Sequence, residues 1–164
     1  MQNPDLKNYR PGAIAVLFDD NGHVFIAERA DSPGSWQLPQ GGVDAGEDAY
    51  DAVVRELFEE TSVVETDLVQ LGASDFWTSY DWPADFKERM LKRKPECAHL
   101  KGACHQWFFF RYIGDKDTID VTTAQDKEFR ASNWVKPEDI MKDVDPMRRD
   151  GYVKAFAFWN SCKD

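Results

Sequence analysis

The chain has 164 residues, 42% of them hydrophobic and 13% aromatic, enough for one substantial core and cramped for two independent domains. With 30 acidic against 20 basic side chains its net charge is −10, which argues against broad binding to nucleic-acid backbones, DNA included, and leaves room for a small polyanion or one RNA end held locally. No apolar run approaches bilayer length, Met1–Asp5 lacks a basic segment followed by an apolar one, and Cys97, Cys104 and Cys162 show no metal-ligand spacing, so the expectation is a cytoplasmic protein with structural thiols and no membrane partner.

Gly12–Phe18 is a continuous apolar run of strand length, Asp19–Gly22 is a turn signal, and Val24–Ala27 returns, so residues 13–27 read as a hairpin. Asp31–Gly34 breaks the chain before a short strand at Trp36–Leu38, which Pro39 ends. From Asp48 to Thr61 the apolar residues Ala49, Ala52, Val53 and Leu57 recur at helical intervals, and Glu47 and Asp48 suit the positive end of the helix dipole. Strands follow at Leu68–Ala73 and Phe76–Thr78, interrupted near Asp75. The long connection from Tyr80 to Gly102 holds a helix at Ala84–Leu91, and strands return at Trp107–Ile113 and Ser132–Val135. Pro137 opens a short helix to Lys142, and a last helix spans about Arg149 to Asn160 with Val153, Phe156 and Ala157 inward. Without a regular βαβ rhythm, the pattern favours layered α+β packing.

The chemistry concentrates between Gly41 and Val63. On a helix Glu56, Glu59 and Glu60 stand at i, i+3 and i+4, so their carboxylates share one face. Like charges at that spacing repel by roughly 0.2–0.5 kcal/mol per pair, and a chain that keeps them is expected to use a cation. Clustered carboxylates suit magnesium, which prefers hard oxygen ligands, and a phosphate chain completes such a site. Gly41-Gly42 lets backbone pass close to the ligand.

With these residues in place the chain resembles the Nudix hydrolases, whose signature reads G-x5-E-x7-R-E-U-x-E-E-x-G-U, U being a bulky aliphatic residue. Gly41, Glu47, Arg55, Glu56, Leu57, Glu59, Glu60 and Val63 occupy the matching places. Ser62 replaces a glycine there, and a left-handed conformation at that point would cost a serine about 1 kcal/mol. The resemblance implies that Glu56, Glu59 and Glu60 bind divalent metal, Mg2+ or Mn2+. It also implies that Glu47 and Arg55 pair to hold the loop against the helix, which makes these five residues the expected catalytic set. The base that activates water is left among the metal-site glutamates or a residue of another loop.

The flanks carry the likeness further. Tyr9-Arg10-Pro11, Ser35 through Gly42, Trp77 with Tyr80, Gly102 with Trp107-Phe108, and Glu128-Phe129 with Trp134 are similar to the dinucleoside polyphosphate hydrolases and RNA pyrophosphohydrolases. That likeness implies an extra metal ligand at Glu128, and phosphate or base contacts from Arg10, Arg29, Gln40, Gly41, Gly42, Tyr80, Met147 and Arg148. Met147 stands where an aromatic often pairs with the Tyr80 position, and Ala103-Cys104-His105-Gln106 replaces a usual Gln-x-Gln-Lys run. The basic residues Lys87, Arg89, Lys92, Arg93 and Lys94 read as a solvated helix face that could also guide an RNA end. His23, His99 and His105 share no spacing and default to surface or core, and five tryptophans, Trp36, Trp77, Trp107, Trp134 and Trp159, are expected in the core.

The expected fold is therefore an α+β Nudix fold, an α/β/α sandwich with a mixed β-sheet, residues 1–164 forming one Nudix hydrolase domain. Its expected activity is metal-dependent hydrolysis of a phosphoanhydride bond in dinucleoside polyphosphates such as diadenosine tetraphosphate. The alternatives are removal of pyrophosphate from triphosphorylated RNA 5′ ends and, in a different class, a nucleotide-binding or scaffold domain with little catalysis. Nothing in the sequence points to an oligomeric state.

Overall fold

The computed structural model describes residues 5–163, so the reading of Met1–Asp5 falls almost wholly outside the described residues. Alternation builds the core. The strand Tyr9–Phe18 (β1) and the strand Gly102–Tyr112 (β7) lie side by side in parallel, Tyr9 opposite Gly102 through Phe18 opposite Arg111. Successive side chains of a strand point to opposite faces, so Ala13, Ala15, Leu17, Phe108 and Phe110 go to one side and Ile14, Val16, Phe18, Trp107 and Phe109 to the other. Both faces are apolar because both are covered, which is why β1 reads as an unbroken hydrophobic run.

The first face packs on the helix Ala49–Thr61 (α1) through Val53 and Leu57. The second packs on the helix Pro146–Cys162 (α3) through Tyr152 and Ala155. Around the central pair lie Val24–Arg29 (β2), Trp36–Gln37 (β3), Gln40–Gly42 (β4), Leu68–Ala73 (β5), Thr78–Asp81 (β6) and Phe129–Val135 (β8). The sheet order is β3-β2-β1-β7-β5, with β4 on β1, β6 on β7 and β8 on β2. Every pairing except β1 with β7 is antiparallel. This is the expected α/β/α sandwich with a mixed sheet. Among the described residues no helix is long and apolar enough to cross a membrane.

Some elements differ from expectation. The strand expected at Phe76–Thr78 lies at Thr78–Asp81, because Ser74 makes a tight bend: its hydroxyl donates to the Phe76 carbonyl at 2.7 Å and accepts the Trp107 amide at 3.0 Å. α3 begins three residues before the expected Arg149, at Pro146, with Asp145 capping the Met147 amide. Its inward residues are Arg148, Tyr152 and Ala155, whereas Val153 is 55% exposed and Ala157 is exposed. Apolar residues surround the Val153–Trp159 stretch, so the helical period is masked there. Trp159 settles the phase by stacking on Phe109, ring centres 4.5 Å apart. Of the expected core tryptophans Trp107 is fully buried, Trp36, Trp134 and Trp159 are half-buried and pack against the core, and Trp77 is half-buried, while Trp82 is buried in a separate cluster. The thiols are free; Cys97 and Cys104 are buried, and Cys162 is exposed rather than structural.

The helix Ala84–Arg93 (α2) sits outside the sandwich. Its Met90 packs with Trp82, Cys97, Leu100 and Ala103 in a separate small cluster that leans on the N-terminal ends of β1 and β7.

Candidate active site

α1 has defined ends. Asp48 accepts the Asp51 amide at 2.8 Å, and the last turn closes where the Ser62 amide donates to the Phe58 carbonyl at 2.9 Å. Ser62 takes φ +66°, and among the described residues it is the one non-glycine in the left-handed region. The loop before the helix returns to β1 through β4, Gly41 opposite Ala13 and Gly42 opposite Gly12. A Cβ on Gly41 would run into the Glu56 carboxyl, and one on Gly42 into the Arg10 guanidinium. Only glycine lets the acidic helix and the first basic strand residue close on this backbone from both sides.

Arg55 ties the loop to the helix. Its Nε and Nη2 fork onto Glu47 at 2.9 and 3.0 Å, Nη2 also donates to the Gly42 carbonyl at 2.8 Å, and Nη1 reaches Glu56 at 2.8 Å and Glu59 at 3.2 Å. The Arg55 hydrogen bonds, with the Asp44 amide, hold the Glu47 carboxyl below the usual range. The inner carboxyls move the other way. Burial, helped by the charges of Glu59 and Asp126 and opposed by Arg55, pushes Glu56 up to about 7. Glu60 is 4% exposed and rises well above the usual range through burial and the nearby Glu56 and Glu128, against the Gln40 amide donating at 3.3 Å.

One oxygen each from Glu56, Glu59 and Asp126 lie within 4.8 Å of one another. Such a knot of hard oxygen donors, with the Glu56 carboxyl pushed up to about 7 chiefly by burial and further by its acidic neighbours, fits a divalent cation. Sequence reasoning missed Asp126. Its signal was the pair Asp126 and Glu128 just before β8, but nothing local says that this loop folds back; it does so by donating the Asp126 amide to the Glu59 carbonyl at 2.8 Å. Glu60 stands beside this trio, and Glu128 faces Arg29 at 3.5 Å.

A cleft of about 310 Å³ opens over the cluster. Glu56, Glu60, Asp126 and Glu128 lie on its acidic side, and Arg10, Arg29 and Arg148 supply cations, joined by Arg93 and Lys94 from the end of α2. Gln40, Gly41, Gly42 and Tyr80 also line it, while Met147 does not. The Tyr80 ring stacks on His105, centres 5.6 Å apart, and the Arg148 guanidinium lies 5.6 Å from its centre. A Tyr80–Met147 slot is therefore replaced by a Tyr80–His105–Arg148 group. Burial, then the charges of Arg148 and Arg10, push the His105 imidazole down to about 3, so it is neutral. Gln40 Oε1, His105 Nδ1 and Arg148 Nε are buried and have no hydrogen-bond partner among the described residues, which a polar ligand can offset.

The family model for the NUDIX domain matches residues 8–156. An RNA pyrophosphohydrolase of Dinoroseobacter shibae is 34% identical, over 90% of this chain and 89% of that protein, and one of Rhodospirillum rubrum is 36% identical, over 91% and 86%. Nudix hydrolase 25 of Arabidopsis thaliana is 33% identical, over 93% and 87%. Among solved structures, a C. elegans Ap4A hydrolase binary complex superposes with TM-score 0.62 at 18% identity, covering 92% of this chain and 98% of that one. The E. coli dihydroneopterin triphosphate pyrophosphohydrolase gives 0.69 at 18%, covering 92% and 97%. These structural likenesses are likenesses of fold.

Proposed function

The chain belongs to the Nudix hydrolase family, and on that premise we propose that it hydrolyses a phosphoanhydride bond in a nucleotide bearing a chain of phosphates, at the cleft between β1, α1 and α2. The observation that carries this reading is a single cleft lined by carboxylates and by guanidinium groups. Arg10, Arg29 and Arg148 hold phosphate oxygens, for which a planar fork of N–H donors is matched. The glycine turn brings the phosphates close to Glu56, and the Glu47–Arg55 fork keeps turn and helix in register. Glu56, Glu59 and Asp126 would hold Mg2+ or Mn2+, with Glu60 and Glu128 beside them; such an ion neutralises phosphoryl oxygens and activates water. One carboxylate of the group takes the proton of the attacking water, and the cationic residues hold the leaving phosphate.

For the substrate, net charge alone favours a small ligand such as diadenosine tetraphosphate. The charge is unevenly spread, however: five cations reach the cleft, so the total of −10 does not restrict what binds there. The relatives at 34 and 36% identity bear the name RNA pyrophosphohydrolase. We therefore put first the triphosphorylated 5′ end of RNA, losing pyrophosphate in the cytoplasm, and keep diadenosine tetraphosphate as the alternative.

The test is competition between the two at equal concentration and physiological salt, with Mg2+, with Mn2+ and with chelator. Turnover is expected only with metal and mainly on RNA, and a large preference for diadenosine tetraphosphate reverses the order. Glu59→Gln is expected to lower turnover by orders of magnitude with an unchanged circular dichroism spectrum. Undiminished metal-dependent turnover in that variant removes the site from this helix, and absence of turnover on any nucleotide by the wild type leaves a binding domain.

A further inference from the structure

The strongest unassigned feature is the wall that α2 raises beside the cleft. Between Ala84 and Lys94 the chain places five cations, Lys87, Arg89, Lys92, Arg93 and Lys94, against two acids, Asp85 and Glu88, in a protein that is acidic as a whole. The charges are sorted around the helix. Phe86, Met90, Arg93 and Lys94 face the cleft. At 3.6 residues per turn Lys87 and Arg89 flank that stripe, and both acids fall behind it with Lys92. Arg89 leans toward the cleft side, its guanidinium 5.9 Å from the Phe86 ring centre, and the Phe86 ring in turn lies 6.3 Å from that of Trp82. Among the described residues none of the five cations forms an ion pair.

A solvated helix face needs no such sorting. Cations on either side of a half-exposed aromatic ring, Phe86, and continuous with a phosphate-binding cleft suit a single-stranded nucleic acid: guanidinium and ammonium groups follow the backbone, and the ring offers stacking surface to any base. We infer that the cleft-facing side of α2, with Lys87 and Arg89 on its two flanks and Phe86 between them, is a track for the unpaired nucleotides that follow a 5′-polyphosphate end seated in the cleft. This rests on the RNA reading above. It adds that recognition extends past the terminal nucleotide, without base specificity, and that the track makes no contact with the reacting phosphates. A dinucleoside polyphosphate has no chain to lay along it.

The experiment compares a 5′-triphosphorylated RNA dinucleotide with a triphosphorylated octanucleotide carrying a 3′ fluorophore. In the wild type kcat/KM is expected to be about tenfold higher for the octanucleotide at low salt, a gain of the size that a few phosphate contacts give. The double variant Lys87→Ser with Arg89→Ser is expected to remove that advantage and leave turnover of the dinucleotide within twofold. The track is overturned if the wild type treats both lengths alike, or if the variant slows both equally. A wild type that cleaves neither RNA but hydrolyses diadenosine tetraphosphate overturns the RNA reading itself. In that case anisotropy of the labelled octanucleotide decides the track, which is overturned if the double variant binds as tightly as the wild type.

Discussion

At Arg55 a single side chain serves five acceptor oxygens, two from Glu47 and one each from the Gly42 carbonyl, Glu56 and Glu59. A lysine keeps the charge but has no planar fork, so Arg55→Lys leaves the loop untied while the sandwich stands. Its kcat is expected to fall by about 10²-fold with KM changed a few-fold at most, because misplacement of the site acts on orientation more than on binding. Equal kcat in variant and wild type would show that the loop is held otherwise. His105 gives a second test. Its imidazole titrates at about 3 in the fold, because of burial and the charges of Arg148 and Arg10, and near 6.5 when unfolded. Between those values the unfolded chain binds a proton that the fold refuses, so stability falls as pH drops from about 6.5, by up to about 1.4 kcal/mol per pH unit. Glu56 and Glu60, with raised values in the metal-free protein, work in the opposite sense, so the effect is read as a difference. Urea unfolding of wild type and His105→Asn across that window should give stabilities that converge as pH falls; parallel curves would mean that His105 is charged in the fold.

Among the elements, α1 was the most legible and α3 the least. The α1 span followed from its apolar period and the acidic residues at its start, and its acidic face followed from spacing alone, because each is encoded within a few neighbouring residues. The stop carries strain: Ser62 holds φ +66°, a conformation that glycine adopts freely. Ser62→Gly should raise stability by about 0.5–1 kcal/mol in urea unfolding with activity unchanged; a loss of stability would mean that the serine hydroxyl contributes more than the strain removes. α3 hides its phase because apolar residues surround it, and Arg148 faces the cleft only because Tyr152, Ala155 and Trp159 turn the helix that way. β6 was displaced by a hydroxyl–backbone bend that no strand propensity records. Asp126 reaches the carboxylates through a backbone hydrogen bond from a long loop, a tertiary fact without local trace.

For the molecule as a whole, composition was a poor guide to where things lie. A total charge of −10 conceals a cationic wall of eleven residues at 84–94 and a cleft reached by five cations. Three cysteines of one kind in the sequence become two classes in the fold, Cys97 and Cys104 buried and Cys162 exposed. Native protein treated with Ellman's reagent should release the equivalent of one thiol promptly, and all three after denaturation. Prompt reaction of all three would show that the small cluster around Met90 and β7 open readily.

The parallel register of β1 with β7 has a kinetic meaning. It joins Tyr9–Phe18 to Gly102–Arg111 across most of the chain, and the cleft is finished only when Arg148 arrives from α3. Long-range pairing of this kind must close a large loop before it is rewarded, so it forms late in refolding. α1 can coil early from local signals, its glutamates already on one face, yet it then lacks the glycine turn and the arginines it works with. Helical signal should therefore return before activity, and the gap between them times the closing of β1 on β7.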